Sequence, residues 1–173
     1  MKAVELAKRQ MAEKDLFAYV KQYFSYCDQT GMLHSKKRQS NNSVLGKPAG
    51  WQQPNGYWRM SIQGKSYQAH RLVWLYHNGK MPLGDIDHIN GVKNDNRIEN
   101  LRDVTHKVNT QNRNRAAKNN KLGVMGVTLQ SGKYVASIWV NGKSKRLGTF
   151  DDLELAEFVY QEAKHLYHEG CVA

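Results

Sequence analysis

Two cysteines in 173 residues, Cys27 and Cys171, lie far apart in the chain. That scarcity excludes a disulfide scaffold and a four-cysteine zinc knuckle. No apolar run approaches the ~20 residues of a membrane span. The first ten residues, Met1 to Gln10, are charged and lack a long apolar core, so no secretory signal is expected. Acidic residues are also few, 15 against 26 Lys plus Arg. Between residues 118 and 148 there are none, while Lys118, Lys121, Lys133, Lys143, Lys145 and Arg146 lie there. The acidic side chains gather again in Asp151, Asp152, Glu154, Glu157, Glu162 and Glu169. Hydrophobic residues reach 40%, enough for a folded core. A net charge of +11 points to a polyanion as partner, nucleic acid being the commonest, or to an inert basic surface. A cytoplasmic protein with free thiols is expected.

The periodicities divide the chain. Residues 3–24 read as a helix, with Val4, Ala7, Met11, Phe17, Val20 and Phe24 at helical spacing. Residues 23–34 read as a hairpin turning at Asp28-Gln29-Thr30-Gly31. The basic polar stretch Lys36 to Pro54 reads as a loop, lying along a phosphate backbone through Lys36 to Arg38, Asn41 and Asn42, or simply solvated. A second hairpin spans residues 57–69, where Trp58, Met60 and Ile62 alternate with Tyr57, Arg59 and Ser61. His70 to His77 forms a short helix that Asn78-Gly79 caps. Strand Asp85 to Ile89, loop Asn90 to Asn96 and strand Asn100 to Arg102 follow. Thr105 caps a helix running to about Ala117. After a linker, Val124–Leu129, Tyr134–Val140 and Lys145–Phe150 read as three strands with turns at Ser131-Gly132 and Asn141-Gly142. Asp151 to Glu169 reads as an amphipathic helix with Leu155, Phe158, Val159, Ala163 and Leu166 inward. The expected domains are an N-terminal helix (1–22), a catalytic part (23–117), a linker (118–123) and a small C-terminal module (124–173).

Chemistry concentrates between Asp87 and Asn109. His88 precedes Asn100 by eleven intervening residues, and Asn100 precedes Asn109 by eight. The runs His70-Arg71-Leu72-Val73-Trp74, Asp87-His88-Ile89-Asn90-Gly91 and Asp95-Asn96-Arg97-Ile98-Glu99-Asn100-Leu101-Arg102, with Asn109, resemble the HNH nucleases. The match is best to the phage and intron-encoded homing endonucleases, and it covers about residues 23–115. The resemblance implies an α+β protein with a ββα-metal nuclease fold that hydrolyses a DNA phosphodiester. It makes His88 the general base and Asn100 the residue that pins the loop beside it. Asp87 and Asn109 become oxygen ligands of one divalent cation, Mg²⁺ or Mn²⁺, with no structural zinc. His106 and Asn112, one turn either side of Asn109, compete with it for that role. His70 is expected to pack or hydrogen-bond rather than catalyse. Arg97 either contacts a phosphate or braces the loop.

Residues 124–170 resemble the DNA-binding domain of the Apetala and ethylene-response type through Gly126-Val127, Lys133 to Ile138, Leu147-Gly148-Thr149-Phe150, Ala156 and Tyr160. This implies a three-stranded antiparallel sheet laid on duplex DNA with one helix packed behind it. On the middle strand Tyr134, Ala136, Ile138 and Val140 share the helix face, and Lys133, Val135, Ser137 and Trp139 the other. Candidate contacts are Thr128, Gln130, Lys133, Ser137, Trp139, Lys145 and Arg146. The arginines usual in that family are largely replaced, so base contacts are not carried over. The expected function is a site-preferring homing-type endonuclease, monomeric by default, leaving 5′-phosphate and 3′-hydroxyl ends. The alternatives are a non-catalytic DNA-binding regulator on a nuclease-derived scaffold and a nuclease without site preference.

Overall fold

The computed structural model describes residues 2–38, 43–112, 116 and 120–171, and the side chains from residue 12 onward. Asn41, Asn42, residues 118 and 119 of the expected 118–123 linker and the side chains of Val4, Ala7 and Met11 lie outside that description. The protein is mixed α/β. It divides into two compact units, Met1–Val104 and Thr105–Ala173, so the break falls before the expected linker. Among the described residues no helix is long and apolar enough to cross a membrane.

The first unit begins with α1 (Lys2–Tyr23), followed by the hairpin β1 (Phe24–Cys27) and β2 (Met32–Ser35), paired Phe24 to Ser35. Next comes the antiparallel sheet β3 (Trp51–Gln52), β4 (Trp58–Ile62) and β5 (Lys65–Gln68). Strand β3 sits inside the expected loop; two residues facing Arg59 and Trp58 carry too little alternation to read as a strand. Helix α2 (Ala69–Asn78) ends where Gly79, at φ 70°, turns left-handed and its N–H bonds the Leu75 carbonyl. Alternation places Met60 and Ile62 in the core with Val20, Phe24, Leu33, Leu72, Val73 and Leu75. Strands β6 (Asp85–His88) and β7 (Leu101–Val104) form an antiparallel ribbon whose Ile86 and Leu101 reach the same core. Asn100 belongs not to β7 but to the 3-10 turn Ile98–Asn100 before it.

In the second unit, Thr105 caps α3 (His106–Gln111), its hydroxyl accepting from the Val108 N–H. The helix closes at Asn112, short of Ala117, and residues 113–115 and 117 lie outside the described set. Strands β8 (Val127–Gln130), β9 (Lys133–Val140) and β10 (Lys143–Phe150) form the expected antiparallel sheet, with β9 central. Asn141 and Gly142 take φ 50° and 77°, as a tight hairpin of this hand requires.

Helix α4 (Leu153–Tyr167) covers one face of that sheet, but on a different stripe from the one expected. Ala156, Tyr160, Ala163 and Lys164 are buried, whereas Leu155, Phe158 and Leu166 are 49%, 61% and 74% exposed. Val159 is half-buried. The physical reason is close approach. Ala136 and Ala156 meet at the seam, and a Cβ on Gly126 would collide with the Tyr160 ring. Small residues let helix and sheet come together, while a count of bulky apolar side chains selects the opposite face. The end of the expected linker is also built into this unit. Leu122 and Val124 pack on the Val127–Ala136–Ala156 cluster, and Asn120 Oδ1 accepts from the Leu122 N–H at 3.0 Å.

Candidate active site

The β6–β7 ribbon presents Asp87 and His88 from within the first unit, and residues before and after it hold its entry. Arg71 of α2 donates to the carbonyls of Gly84 and Pro82 at 3.0 and 3.3 Å. Asp103 on β7 accepts from the backbone N–H groups of Leu83 and Gly84, each at 2.8 Å. The Arg71 of the His-Arg-Leu-Val-Trp run is therefore a strap on the segment that enters β6.

Antiparallel register sets Asp87 opposite Arg102, and His88 opposite Leu101. The buried Asp87 carboxylate accepts from Arg102 Nε at 2.8 Å and pairs with Nη2 at 2.7 Å, both through Oδ2.

The loop from Ile89 to Asn100 is a polar knot. The Asn100 amide donates to Asn90 Oδ1 at 3.0 Å and to the Asp95 carbonyl at 2.8 Å, and its Oδ1 accepts from the Asn90 N–H at 3.0 Å. Asp95 takes a two-pronged bond from Arg97, 2.8 Å from Nε and 2.7 Å from Nη2, plus one from Asn90 Nδ2. The Arg97 hydrogen bond chiefly holds the Asp95 carboxyl down at about 2, with Asn90 adding to it. Arg97 has the geometry of a brace, although its side chain is 44% exposed. The hairpin β1–β2 supports the knot from behind: Tyr26 Oη accepts from the Ile98 N–H at 3.0 Å. Gly31, at φ 68°, lies so close that a Cβ would collide with the Asn96–Arg97 peptide.

His88 is buried, and its Nε2 lies 3.0 Å from Asn96 Oδ1. Its ring stands edge-on to His70, centroids 5.2 Å apart, with Tyr57 6.0 Å away. Burial pushes the His88 pKa below its ordinary value, opposed by the Asn96 bond and by Asp87 and Asp95. His70 is pushed down to about 3, mainly by burial and then by His88 and Arg71. It is therefore a neutral wall beside His88 across the physiological range. Burial raises the Tyr57 phenol, helped by Asp87 and Asp85. Lys93 Nζ sits 4.9 Å over the Tyr57 ring and donates to the Asn55 carbonyl.

The first unit thus brings together Asp87, His88, Arg97 and Asn100 of the expected set. Asn109 and its competitors His106 and Asn112 lie on or at the end of α3, in the second unit. Sequence reasoning did not single out Asn96, Arg102 or Tyr57. The signal for Arg102 was available, because Asp87 and Arg102 flank the loop at offsets that an antiparallel ribbon pairs. Among the described residues no group of three or more His, Cys, Asp or Glu is arranged to hold a metal.

In the second unit, register sorts the candidate contacts by face. Ser137 lies opposite Arg146, Trp139 opposite Ser144, Val135 opposite Thr128 and Thr149, and Lys133 opposite Gln130. These share the face away from α4, where Trp139 is 67% exposed. Lys133 pairs with Asp151 at 2.9 Å, both exposed. Lys145 lies opposite Ile138, on the helix side, and its Nζ donates to Tyr167 Oη at 2.7 Å. It does not share the face of the other candidates.

Residues 67–111 match the family model described as HNH endonuclease. The match runs from the end of β4–β5 through α3 and takes in His70, Asp87, His88, Asn96, Asn100, Arg102 and Asn109. The chain is also similar to a protein of Bacillus subtilis (strain 168) named "SPbeta prophage-derived putative HNH homing endonuclease YosQ", at 29% identity over 133 residues. That alignment covers 76% of this chain and 66% of the relative, so the chain spans just under two thirds of the relative's length. No solved structure matches. Residues 67–111, which carry His88 and its loop, are therefore similar to an HNH endonuclease domain.

Proposed function

We propose that this protein is a metal-dependent, homing-type DNA endonuclease of the ββα-metal kind. The observation that carries the reading is the pairing of a buried Asp87–His88 strand end with a loop that is knotted at Asn100 and sets Asn96 against the His88 ring. An imidazole held neutral by burial is suited to take a proton from water near neutral pH. In the reaction a water oxygen attacks the phosphorus while His88 accepts the water's proton. The bond from phosphorus to the 3′ oxygen breaks, leaving a 5′-phosphate and a 3′-hydroxyl. Asp87 offers a hard anionic oxygen, held by Arg102. Such a sparse donor set fits Mg²⁺ or Mn²⁺, which rely on one or two carboxylates with substrate phosphate and water completing the shell. The bound ion would stabilise negative charge on the phosphate and on the departing oxygen. An oxygen of Asn109 is assigned to that ion by motif spacing alone.

In this reading residues 23–117 cut and residues 124–173 bind duplex DNA. Ser137, Trp139, Arg146 and Lys133, with Thr128 and Gln130, form the binding face, and Lys145 adds charge from the sheet's other side. Arg97 braces the catalytic loop. The test is cleavage of supercoiled plasmid and of linear genomic DNA, with Mg²⁺, Mn²⁺ or chelator, by wild type and His88→Ala. Metal-dependent cutting at recurrent positions with 5′-phosphate ends, lost in His88→Ala, is expected. Sequence-preferring binding without any cutting would favour the regulator. Equal degradation of RNA and unrelated duplexes would remove the site preference.

A further inference from the structure

The β6–β7 ribbon and its loop carry three lysine and arginine side chains, Lys93, Arg97 and Arg102. Arg97 is tied to Asp95, and Arg102 to Asp87. Lys93 is exposed and makes no ion pair among the described residues. It is held all the same. Its Nζ donates to the Asn55 carbonyl at 3.1 Å, across 38 residues of sequence, and lies 4.9 Å over the Tyr57 ring. Its stem passes Gly56, where a Cβ would touch it at 3.6 Å. The turn that receives it is closed by its own hydrogen bonds. The Gly56 N–H donates to the Gln53 carbonyl at 2.9 Å, the Gln53 N–H to the Tyr57 carbonyl at 2.7 Å and the Tyr57 N–H to Asn55 Oδ1 at 3.2 Å. The Tyr57 ring in turn lies 6.0 Å from the His88 ring, so the ammonium is a near neighbour of the imidazole.

A neutral donor such as glutamine would bond the Asn55 carbonyl as well. What lysine adds is a full positive charge and two N–H groups beyond the one given to Asn55. Confining that long stem costs rotamer freedom, and a confined cation without a carboxylate is ready for an anion from outside the chain. We propose that Lys93 binds a backbone phosphate of duplex DNA next to the scissile one, and so holds the strand against His88. The proposal rests on the endonuclease reading and adds a residue that fixes the substrate's position. The Tyr57 face and the Asn55 carbonyl keep the ammonium in place, and its remaining N–H groups donate to the non-bridging oxygens. Such a contact reads no sequence; it sets register and contributes affinity that salt weakens.

The test is fluorescence anisotropy of the full-length protein with a labelled mixed-sequence DNA duplex, in chelator so that nothing is cut. Lys93→Met, which keeps an apolar stem over Tyr57, should lower the slope of log binding constant against log salt by about 1. The wild-type to variant affinity ratio should then shrink about 3–4-fold between 50 and 200 mM salt. Lys93→Arg, which keeps the charge, should keep the slope. A lysine that merely tethers the turn would give a lower urea midpoint in Lys93→Met and an unchanged slope, and that result overturns the proposal. If Lys93→Met does not fold, amine acetylation of the wild type decides. Duplex DNA should protect Lys93, and high salt should restore its labelling; labelling indifferent to duplex overturns the proposal. Neither readout uses cleavage. A protein that binds duplex through Lys93 and never cuts would discard the endonuclease reading and keep the contact, whereas one that cuts with a slope indifferent to Lys93→Met would do the reverse. A wild type that binds no duplex overturns both.

Discussion

His70 gives a stability prediction with a defined sign. In the fold its pKa is about 3, against an ordinary value of 6.5. Above pH 6.5 the ring is neutral in both folded and unfolded chains, and its contribution to stability is fully present. As pH falls below 6.5 the unfolded chain takes up a proton that the folded one refuses, and stability is lost until about pH 3. At pH 5 the linkage amounts to about 2 kcal/mol. With a urea slope of ~1–2 kcal/mol per molar, that lowers the unfolding midpoint by ~1–2 M between pH 8 and pH 5. The probe should report the first unit alone. Trp51, Trp58 and Trp74 lie there and Trp139 in the second, so tryptophan fluorescence in a Trp139→Phe background isolates it. His77 and His88 are also shifted down, mainly by burial, and contribute to the same slope. The decisive quantity is therefore the difference between the parent and His70→Gln. The variant should lose most of the pH 8 to pH 5 decline, whatever its stability at pH 8. Equal pH slopes in the two proteins would refute the claim that the fold holds His70 neutral.

Asn100→Ala removes three hydrogen bonds at about 1 kcal/mol each, so ~3 kcal/mol of stability should go. Hydrogen exchange should show the added opening concentrated at the amides of residues 89–95. Arg102→Met takes the guanidinium from a buried carboxylate and should cost about 2–4 kcal/mol by urea melting; adding Asp87→Asn should restore much of it. On the sheet face, Arg146→Ala should reduce the slope of log binding constant against log salt by about 1 in fluorescence anisotropy with duplex DNA. Trp139→Ala should weaken the same binding with little change in slope, since it removes an apolar contact and no charge.

The legible parts of the chain share a physical cause. Where a strand face is half-buried, period-two alternation is written in the residues, as at Met60 and Ile62 or along Tyr134 to Val140. Where a turn needs left-handed backbone, Asn141-Gly142 and Gly79 announce it. The helix pattern of α4 points to Leu155, Phe158 and Leu166 as well as the buried Ala163, but burial there is decided by how closely helix and sheet can approach. That is a property of Ala136, Gly126 and Ala156 together, not of the helix pattern alone. Strand β3 leaves no such signal, because two residues cannot establish a period. At the site, Asp87, His88 and Asn100 stood out through their order and spacing. Asn96 did not, because its significance lies in one contact across the loop and in its complete burial. Neither leaves a trace in the pattern of residue types.

The glycine at position 31 bears on how the matched segment could be moved between proteins. The matched stretch is not a portable cassette, because its loop leans on a turn some 36 residues upstream of the match. A graft of 67–111 into another scaffold would leave behind the β1–β2 turn, the Tyr26 hydroxyl and the Tyr57 ring. Any chimera that keeps the His88 loop in shape has to carry its buttress, from Phe24 onward, along with it.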